Sequence, residues 1–196
     1  MNVLIACEMS GRVRDALRSQ GLNAISCDLL PSEREGPHII GDALTVLEQG
    51  TLSGEPWGAL IAFPPCTHLS SSGARWWAEK RRDGRQQEAE RFFLALANCD
   101  LPFIALENPV GRMSTVLRKP EQIVQPWWFG DPYTKATCLW LKGFPPLLKT
   151  SPVEPTLKSW IHTLPPSPDR AKIRSYTPHG LAEAIGSQWG EVLRRA

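Results

Sequence analysis

The chain has 196 residues, 42% of them apolar and 21% charged, with a formal net charge of +2. Those values exclude wholesale disorder, and a chain of this length buries about 70% of its unfolded surface without a disulfide or metal staple. The charge balance permits nucleic-acid contact but is milder than that of dedicated basic domains. No apolar run approaches the roughly 18 residues of a membrane helix. The opening MNVLIACEMS lacks the positive n-region of a secretory signal. Five scattered cysteines without a CxxC pair fit reduced thiols in a cytoplasm and point away from a metal site. One domain is expected over residues 1–196.

Residues 2–7 form a continuous apolar run, the mark of a strand buried on both faces. Ser10-Gly11 breaks it. Val13 and Leu17, with Arg12, Arg14 and Arg18 between them, predict an amphipathic helix ending at Gly21. Residues 23–28 predict a second strand that ends in an acid. Residues 39–42 end another short apolar segment, and 43–49 predict a helical turn or two. Residues 57–63 predict a third strand, stopped by Pro64-Pro65. Residues 79–98 have helical periodicity, with Ala89, Phe92, Phe93 and Leu96 on one face. Residues 103–106 predict a fourth strand, stopped by Glu107-Asn108-Pro109, and 137–141 a later one. The Pro-rich stretch 142–170 reads as loop, and 180–189 as a terminal helix. Strands alternating with helices predict an α/β fold with a mostly parallel sheet, which binds ligands at the C-terminal strand ends.

Chemistry-bearing residues collect at those ends. Asp28, about 20 residues after the first turn, is placed to accept hydrogen bonds from ribose hydroxyls. Asp42 is placed to receive an adenine amino group. Together they suggest an adenosine cofactor; helix capping is the plainer role for either acid. The first turn has Ser10-Gly11 rather than GxGxxG, so a cofactor without phosphates fits better. Cys66 follows a strand end and two prolines, where a thiolate meets whatever binds there. Cys7, Cys27, Cys99 and Cys138 sit in apolar stretches and read as core. Glu107 falls at the same edge, to hold a heterocycle by its N–H groups or act as an acid. Its plainer roles are a helix cap or an ion pair with Arg112. Arg75-Trp76-Trp77 and the basic run 80–85 offer a base-stacking surface with phosphate contacts, or a solvated helix start with one Trp in the core. Trp127-Trp128, Arg170, Lys172 and Arg174 offer further contacts.

In this order the residues resemble the cytosine-C5 DNA methyltransferases. Phe63-Pro64-Pro65-Cys66 resembles their proline-cysteine nucleophile motif, and Leu106-Glu107-Asn108-Pro109-Val110-Gly111 their glutamate-asparagine-valine motif. Phe129-Gly130-Asp131-Pro132-Tyr133-Thr134-Lys135 resembles a later motif of theirs, and residues 178–190 match the position of their final cofactor-contacting helix. The chain as a whole is similar to short methyltransferase-like proteins common in phage genomes. The resemblance implies a Rossmann-like fold and S-adenosyl-L-methionine as cofactor, held by Glu8, Ser10, Gly11, Asp28, Asp42 and Pro64. It implies Cys66 as the nucleophile on cytosine C6 and Glu107 as the group that holds N3 and the exocyclic amine. Lys135 stands for one family arginine, and Thr137 sits where another would be. Ser70, Arg75, Trp76 and Arg174 are the implied DNA contacts.

Three departures stand beside the likeness. Cys7-Glu8-Met9-Ser10-Gly11 replaces the family's glycine-rich loop. A lysine cannot copy the planar fork of an arginine. Residues 141–173 are too few for a separate target-recognition domain. The implied activity is therefore methyl transfer to cytosine in DNA of open strandedness. Modification of a free cytosine nucleotide or of a single strand is a second reading, and a non-catalytic cofactor- or DNA-binding decoy a third. No metal, no membrane, a monomer and a cytoplasmic location (the host's, for a phage protein) complete the expectation.

Overall fold

The computed structural model describes residues 1–157 and 164–196. Seven strands form one sheet in the order β3-β2-β1-β4-β5-β7-β6. They are β1 (Asn2–Ala6), β2 (Asn23–Asp28), β3 (His38–Ile40), β4 (Ala59–Ala62), β5 (Phe103–Pro109), β6 (Gln122–Val124) and β7 (Thr137–Lys142). β1 pairs in parallel with β2 and β4, β2 with β3, and β4 with β5. β7 is inserted antiparallel between β5 and β6. A mostly parallel sheet with helices on its faces is the Rossmann-like methyltransferase fold.

The apolar run at the start of the chain explains its central place. Val3, Leu4, Ile5 and Ala6 are all fully buried. Successive side chains point to opposite faces, so Val3 and Ile5 enter one core and Leu4 and Ala6 the other. The first core lies under α1 (Arg12–Arg18) and the terminal helix, with Val13, Leu17, Leu181 and Trp189. The second lies under α2 (Ala43–Gln49) and α4 (Arg85–Ala97), with Val46, Phe93 and Leu96. Each such aliphatic side chain contributes roughly 1.5–3 kcal/mol on burial. A strand feeding both layers cannot move without opening both.

The chain leaves β1 toward β2 and β3, then returns to β4 on the other side. The crevice at this reversal is where α/β sheets bind ligands. It is bounded by the turn after β1 and the loop after β4.

Four expectations change. Residues 79–98 are not one helix. α3 (Trp77–Arg82) ends at Asp83, and Gly84 takes φ 89 before α4 begins. Asp83 Oδ1 accepts from Arg85 N (3.1 Å), which starts the second helix separately. β5 does not stop at Glu107: Glu107, Asn108 and Pro109 continue it, opposite Leu139, Cys138 and Thr137. Arg14 is not on a polar face but fully buried. Cys7 lies outside the strand, half-buried in a turn at φ 58.

The terminal helix is longer than residues 180–189. It runs as α7 (His179–Ala184), a π-helical stretch (Ile185–Trp189) and α8 (Gly190–Arg195). Residues 143–157 and 164–169 hold neither helix nor named strand, as read for the Pro-rich stretch; 158–163 lie outside the described residues. The strand β6, the helices α5 (Met113–Val116) and α6 (Arg170–Ser175), and the 3-10 turns Ser71–Trp76 and Pro126–Trp128 were not expected. No helix among the described residues is long and apolar enough to cross a membrane.

Candidate active site

The turn after β1 is held from below. Glu8 is buried and accepts hydrogen bonds from Ser10 Oγ and from Arg12 N (2.8 Å), so its carboxylate serves the open end of α1. Burial raises its pKa, against the pull of those bonds and of Arg14. Glu8 Oε2 is buried and meets no partner among the described residues. The Ser10 hydroxyl is committed to Glu8. Gly11 takes φ 68, and a Cβ there would lie 2.5 Å from an Arg14 guanidinium nitrogen.

Arg14 joins this turn to the loop after β2. It donates to Ser26 Oγ (3.2 Å), Ser32 Oγ (3.0 Å) and the carbonyls of Arg34 (3.4 Å) and Glu35 (2.8 Å), and pairs with Asp15 (2.8 Å). No residue with fewer donors serves so many acceptors. Beyond it, Asp28 closes β2 and accepts from Leu30 N (3.0 Å). Asp42 caps α2 through Thr45 N (3.0 Å). Both carboxylates are near enough to Cys7 to push its thiol further up, burial being the main cause. Leu29, Leu30 and Ile40 stand exposed around them. Two carboxylates for ribose and amine, among exposed aliphatic side chains for a purine face, fit an adenosine group. The unpartnered Glu8 oxygen adds an acceptor for a cationic one.

Across the crevice, Phe63 N donates to Ala6 O (3.0 Å) and carries the chain into Pro64-Pro65-Cys66. Pro64 is buried and Cys66 half-buried. Asn108 Nδ2 donates to Pro64 O (2.8 Å), tying the end of β5 to the Pro64-Pro65-Cys66 loop. Asn108 Oδ1 is buried without a partner among the described residues. The loop is fixed a second time where Ser70 bridges Gly111 and Arg112 N donates to Leu69 O (2.8 Å). A Cβ on Gly111 would lie 2.1 Å from Leu69 O. Gly111→Ala is therefore expected to push the loop off β5 and lower any Cys66-dependent rate by about 10²-fold. Steady-state kinetics on folded protein checks this, and an unchanged rate would mean that the bridge does not set the thiol's position.

Four predicted residues meet at this edge. Burial raises the Cys66 thiol and the Glu107 carboxylate raises it further, while Lys135 and Arg174 pull it down. Glu107 is itself raised by burial, against Lys135 and the Thr137 hydroxyl. Lys135 Nζ donates to Arg174 O (3.2 Å) and Tyr176 O (3.5 Å), which joins the loop before β7 to the segment before the terminal helix. That segment also reaches the turn after β1 and the loop after β2. Arg12 donates to Thr177 O (2.7 Å) and lies over the Tyr176 ring, and Tyr176 Oη donates to Glu33 (2.7 Å).

The other expectations divide. Ser70 belongs to the bridge, with its hydroxyl bonded to Ser72 (2.9 Å). Trp76 is 50% exposed with Arg75 stacked on it (5.2 Å). Glu107 makes no pair with Arg112, which instead bonds Glu90 (3.0 Å). Lys80 leaves the basic run and is buried. Two surface clefts of about 620 Å³ lie elsewhere, one beside Arg12 and His179, the other beside Trp57 and Cys99. Asn108 and Arg14 were not singled out in the sequence as working parts, whereas Thr137 was marked by the resemblance. Asn108 was visible as a polar residue beside Glu107; the partners of Arg14 carried no signal.

No family model matches the chain, and no curated protein does. Solved structures do. The Entamoeba histolytica methyltransferase EhMeth matches with a TM-score of 0.51 at 16% identity, covering 78% of this chain and 57% of that one. The Dnmt2 methyltransferase of S. pombe matches at 0.49 and 15% identity, covering 74% and 51%. A substituted form of Spodoptera frugiperda DNMT2 matches at 0.49 and 14% identity, covering 85% and 60%. The chain thus spans between 51% and 60% of the length of these proteins. The likeness is one of fold, and it rests on the first of the three.

Proposed function

We propose that this chain is an S-adenosylmethionine-dependent methyltransferase that acts on C5 of cytosine in DNA through Cys66. The observation that carries the reading is that Cys66 and Glu107 stand at the ends of the paired strands β4 and β5, tied by the Asn108–Pro64 bond (2.8 Å), with Lys135 and Arg174 within electrostatic reach of the thiol. A binding module has no use for a thiol beside a carboxylate and two cations. Asp28, Asp42 and the turn from Glu8 to Gly11 would hold the cofactor. When bound, S-adenosylmethionine supplies an electrophilic methyl group.

Each residue then has a task. Glu107, whose burial favours the protonated carboxyl, donates to cytosine N3 and accepts from the exocyclic amine. Once Glu107 is neutral, it no longer opposes ionisation of Cys66, and Lys135 and Arg174 favour the thiolate. The thiolate forms a bond to C6, and the electron pair moves onto C5. After methyl transfer the C5 proton leaves to a base, and the same pair expels Cys66 as thiolate. In a duplex the cytosine must first leave the stack, at a few kcal/mol. The second reading, a single strand or a free nucleotide, uses the same residues. It is favoured by the shortness of the stretch between β7 and Arg174.

The test is incubation with methyl-labelled cofactor and, in parallel, duplex DNA, single-stranded DNA, RNA and dCMP. Label in a DNA supports the reading, and label in dCMP alone moves the protein to nucleotide modification. No label anywhere, with cofactor bound by calorimetry, rejects the enzyme reading.

The coupled pair sets the pH profile. The productive form carries one proton, on Glu107 and not on Cys66. It appears with the lower ionisation of the pair and is lost at the higher, so kcat/KM is expected to be bell-shaped. Glu107→Gln keeps a donor and an acceptor but removes the titrating carboxyl. It is expected to lower kcat by about 10²-fold and abolish the alkaline limb. It also removes the opposing charge, so ionisation of Cys66 shifts to lower pH. The pH dependence of Cys66 alkylation reads this directly; an unshifted curve would separate the two groups.

A further inference from the structure

We propose that Lys80 is a positioning residue for Cys66, holding the backbone behind the thiol in register with Glu107. The inference rests on the reading of Cys66 as nucleophile. Residues 66–69 leave the sheet after β4, and four consecutive carbonyls there need donors. Cys66 O accepts from Leu69 N (3.0 Å) and Ser70 N (2.9 Å), and Leu69 O from Arg112 N (2.8 Å). Among the described residues, the two between them are reached by side chains of the helical pair that follows. Lys80 Nζ donates to Thr67 O at 2.6 Å, and the fully buried Gln86 donates from Nε2 to His68 O at 3.1 Å.

Lys80 is the more telling of the two. It is only 9% exposed, and among the described residues its ammonium meets no carboxylate. A buried ammonium without a counter-charge is unfavourable, and an aliphatic side chain would fill the space better. What the ammonium supplies is one short, charge-assisted bond on the carbonyl next to Cys66. Gly73 roofs it: a Cβ there would sit 3.4 Å from Nζ and 3.9 Å from Thr67 O. The 3-10 turn Ser71–Trp76 thus closes over the lysine and leaves little room for the wider guanidinium of an arginine. Thr67 is directly bonded to Cys66, so a shift of its carbonyl moves the thiol against Glu107.

Two variants test this in the full chain. Lys80→Met keeps the stem and deletes the donor, and is expected to lower kcat by about 10²-fold. KM for the cytosine polymer and cofactor affinity are expected to stay within about threefold. Ethylammonium added to Lys80→Ala is expected to restore part of kcat, which a purely structural loss would not show. A readout independent of methyl transfer is the iodoacetamide alkylation rate of Cys66, with half-buried Cys99 as internal reference. Freeing the loop is expected to change the Cys66-to-Cys99 ratio several-fold. If that ratio shifts while even the parent transfers no methyl, the positioning role stands and the methyltransferase reading fails. A folded Lys80→Met protein with unchanged ratio and unchanged kcat overturns the proposal. So does a rise in KM alone, which would make Lys80 a substrate contact.

Discussion

A Cys66→Ser protein is expected to transfer methyl at least about 10⁴-fold more slowly than the parent while binding cofactor equally well. The substitution is nearly isosteric, and Cys66 is half-buried at a loop rather than packed in a core. The fold and the loop's backbone bonds should therefore survive. What changes is ionisation. Burial raises the Cys66 thiol, but Lys135 and Arg174 favour its thiolate, whereas a serine hydroxyl has no comparably accessible anion. No partly charged nucleophile is left to attack C6. Cofactor contact is expected to persist because Asp28 and Asp42 edge the other side of the crevice, at the ends of β2 and β3. Parallel rate and calorimetry measurements decide it. A residual rate within tenfold of the parent would remove the covalent step from the account.

Arg14→Met is expected to destabilise the fold by about 3 kcal/mol, a large share of a typical domain's 5–15 kcal/mol. Methionine fills the stem's space but removes the donor shared by Ser26 Oγ, Ser32 Oγ and the carbonyls of Arg34 and Glu35, although Arg34 O keeps the Ser32 hydroxyl and Ser26 Oγ keeps His38 Nδ1. The loss falls on the buried guanidinium site and on buried Ser26, where an unmet group costs about 1–3 kcal/mol, while water reaches the exposed residues Arg34 and Glu35. Arg14→Lys is expected to lose about 2 kcal/mol, since one ammonium cannot span acceptors arranged for a fork. Urea titration gives the difference, provided the slope m is unchanged. A second effect follows from place. Arg14 holds the turn after β1 against the loop after β2, and those carry Glu8 to Gly11 and the chain beyond Asp28. Cofactor affinity is expected to fall in Arg14→Met even at temperatures where it is folded. A loss below 1 kcal/mol would mean that the guanidinium is solvated rather than bonded.

The sequence was legible where its own neighbours decided the outcome. β1 and β2 are found close to their predicted ends because residues 2–6 and 23–28 are apolar enough to be buried on both sides. α2 is found at 43–49 because Asp42 caps it and Gly50 ends it. Distant partners decided the rest. Arg14 counts as a polar-face residue by periodicity, and its burial comes from acceptors in residues 26–35. β6 is three residues long, with Ile123 exposed, and exists only because β7 lies beside it. Glu107 reads as a strand terminator by charge, yet pairing with β7 keeps it in the ladder, which aims its carboxyl at the crevice. The break at Gly84 was signalled by Asp83-Gly84 but hidden by charge periodicity running across it. Lys80 belonged to a basic run, and only the fold of the Cys66 loop shows that it turns inward.

The central claim is that Cys66 opens C5 of cytosine to substitution. The most direct measurement uses DNA carrying tritium at cytosine C5, with unlabelled cofactor and the full chain. Substitution at C5 must expel that hydrogen, so tritium is expected in water in equal amount to the methyl transferred, and none from Cys66→Ser. Methyl transfer with the tritium retained would place the chemistry on another atom of the base and contradict the assignment of Cys66 and Glu107.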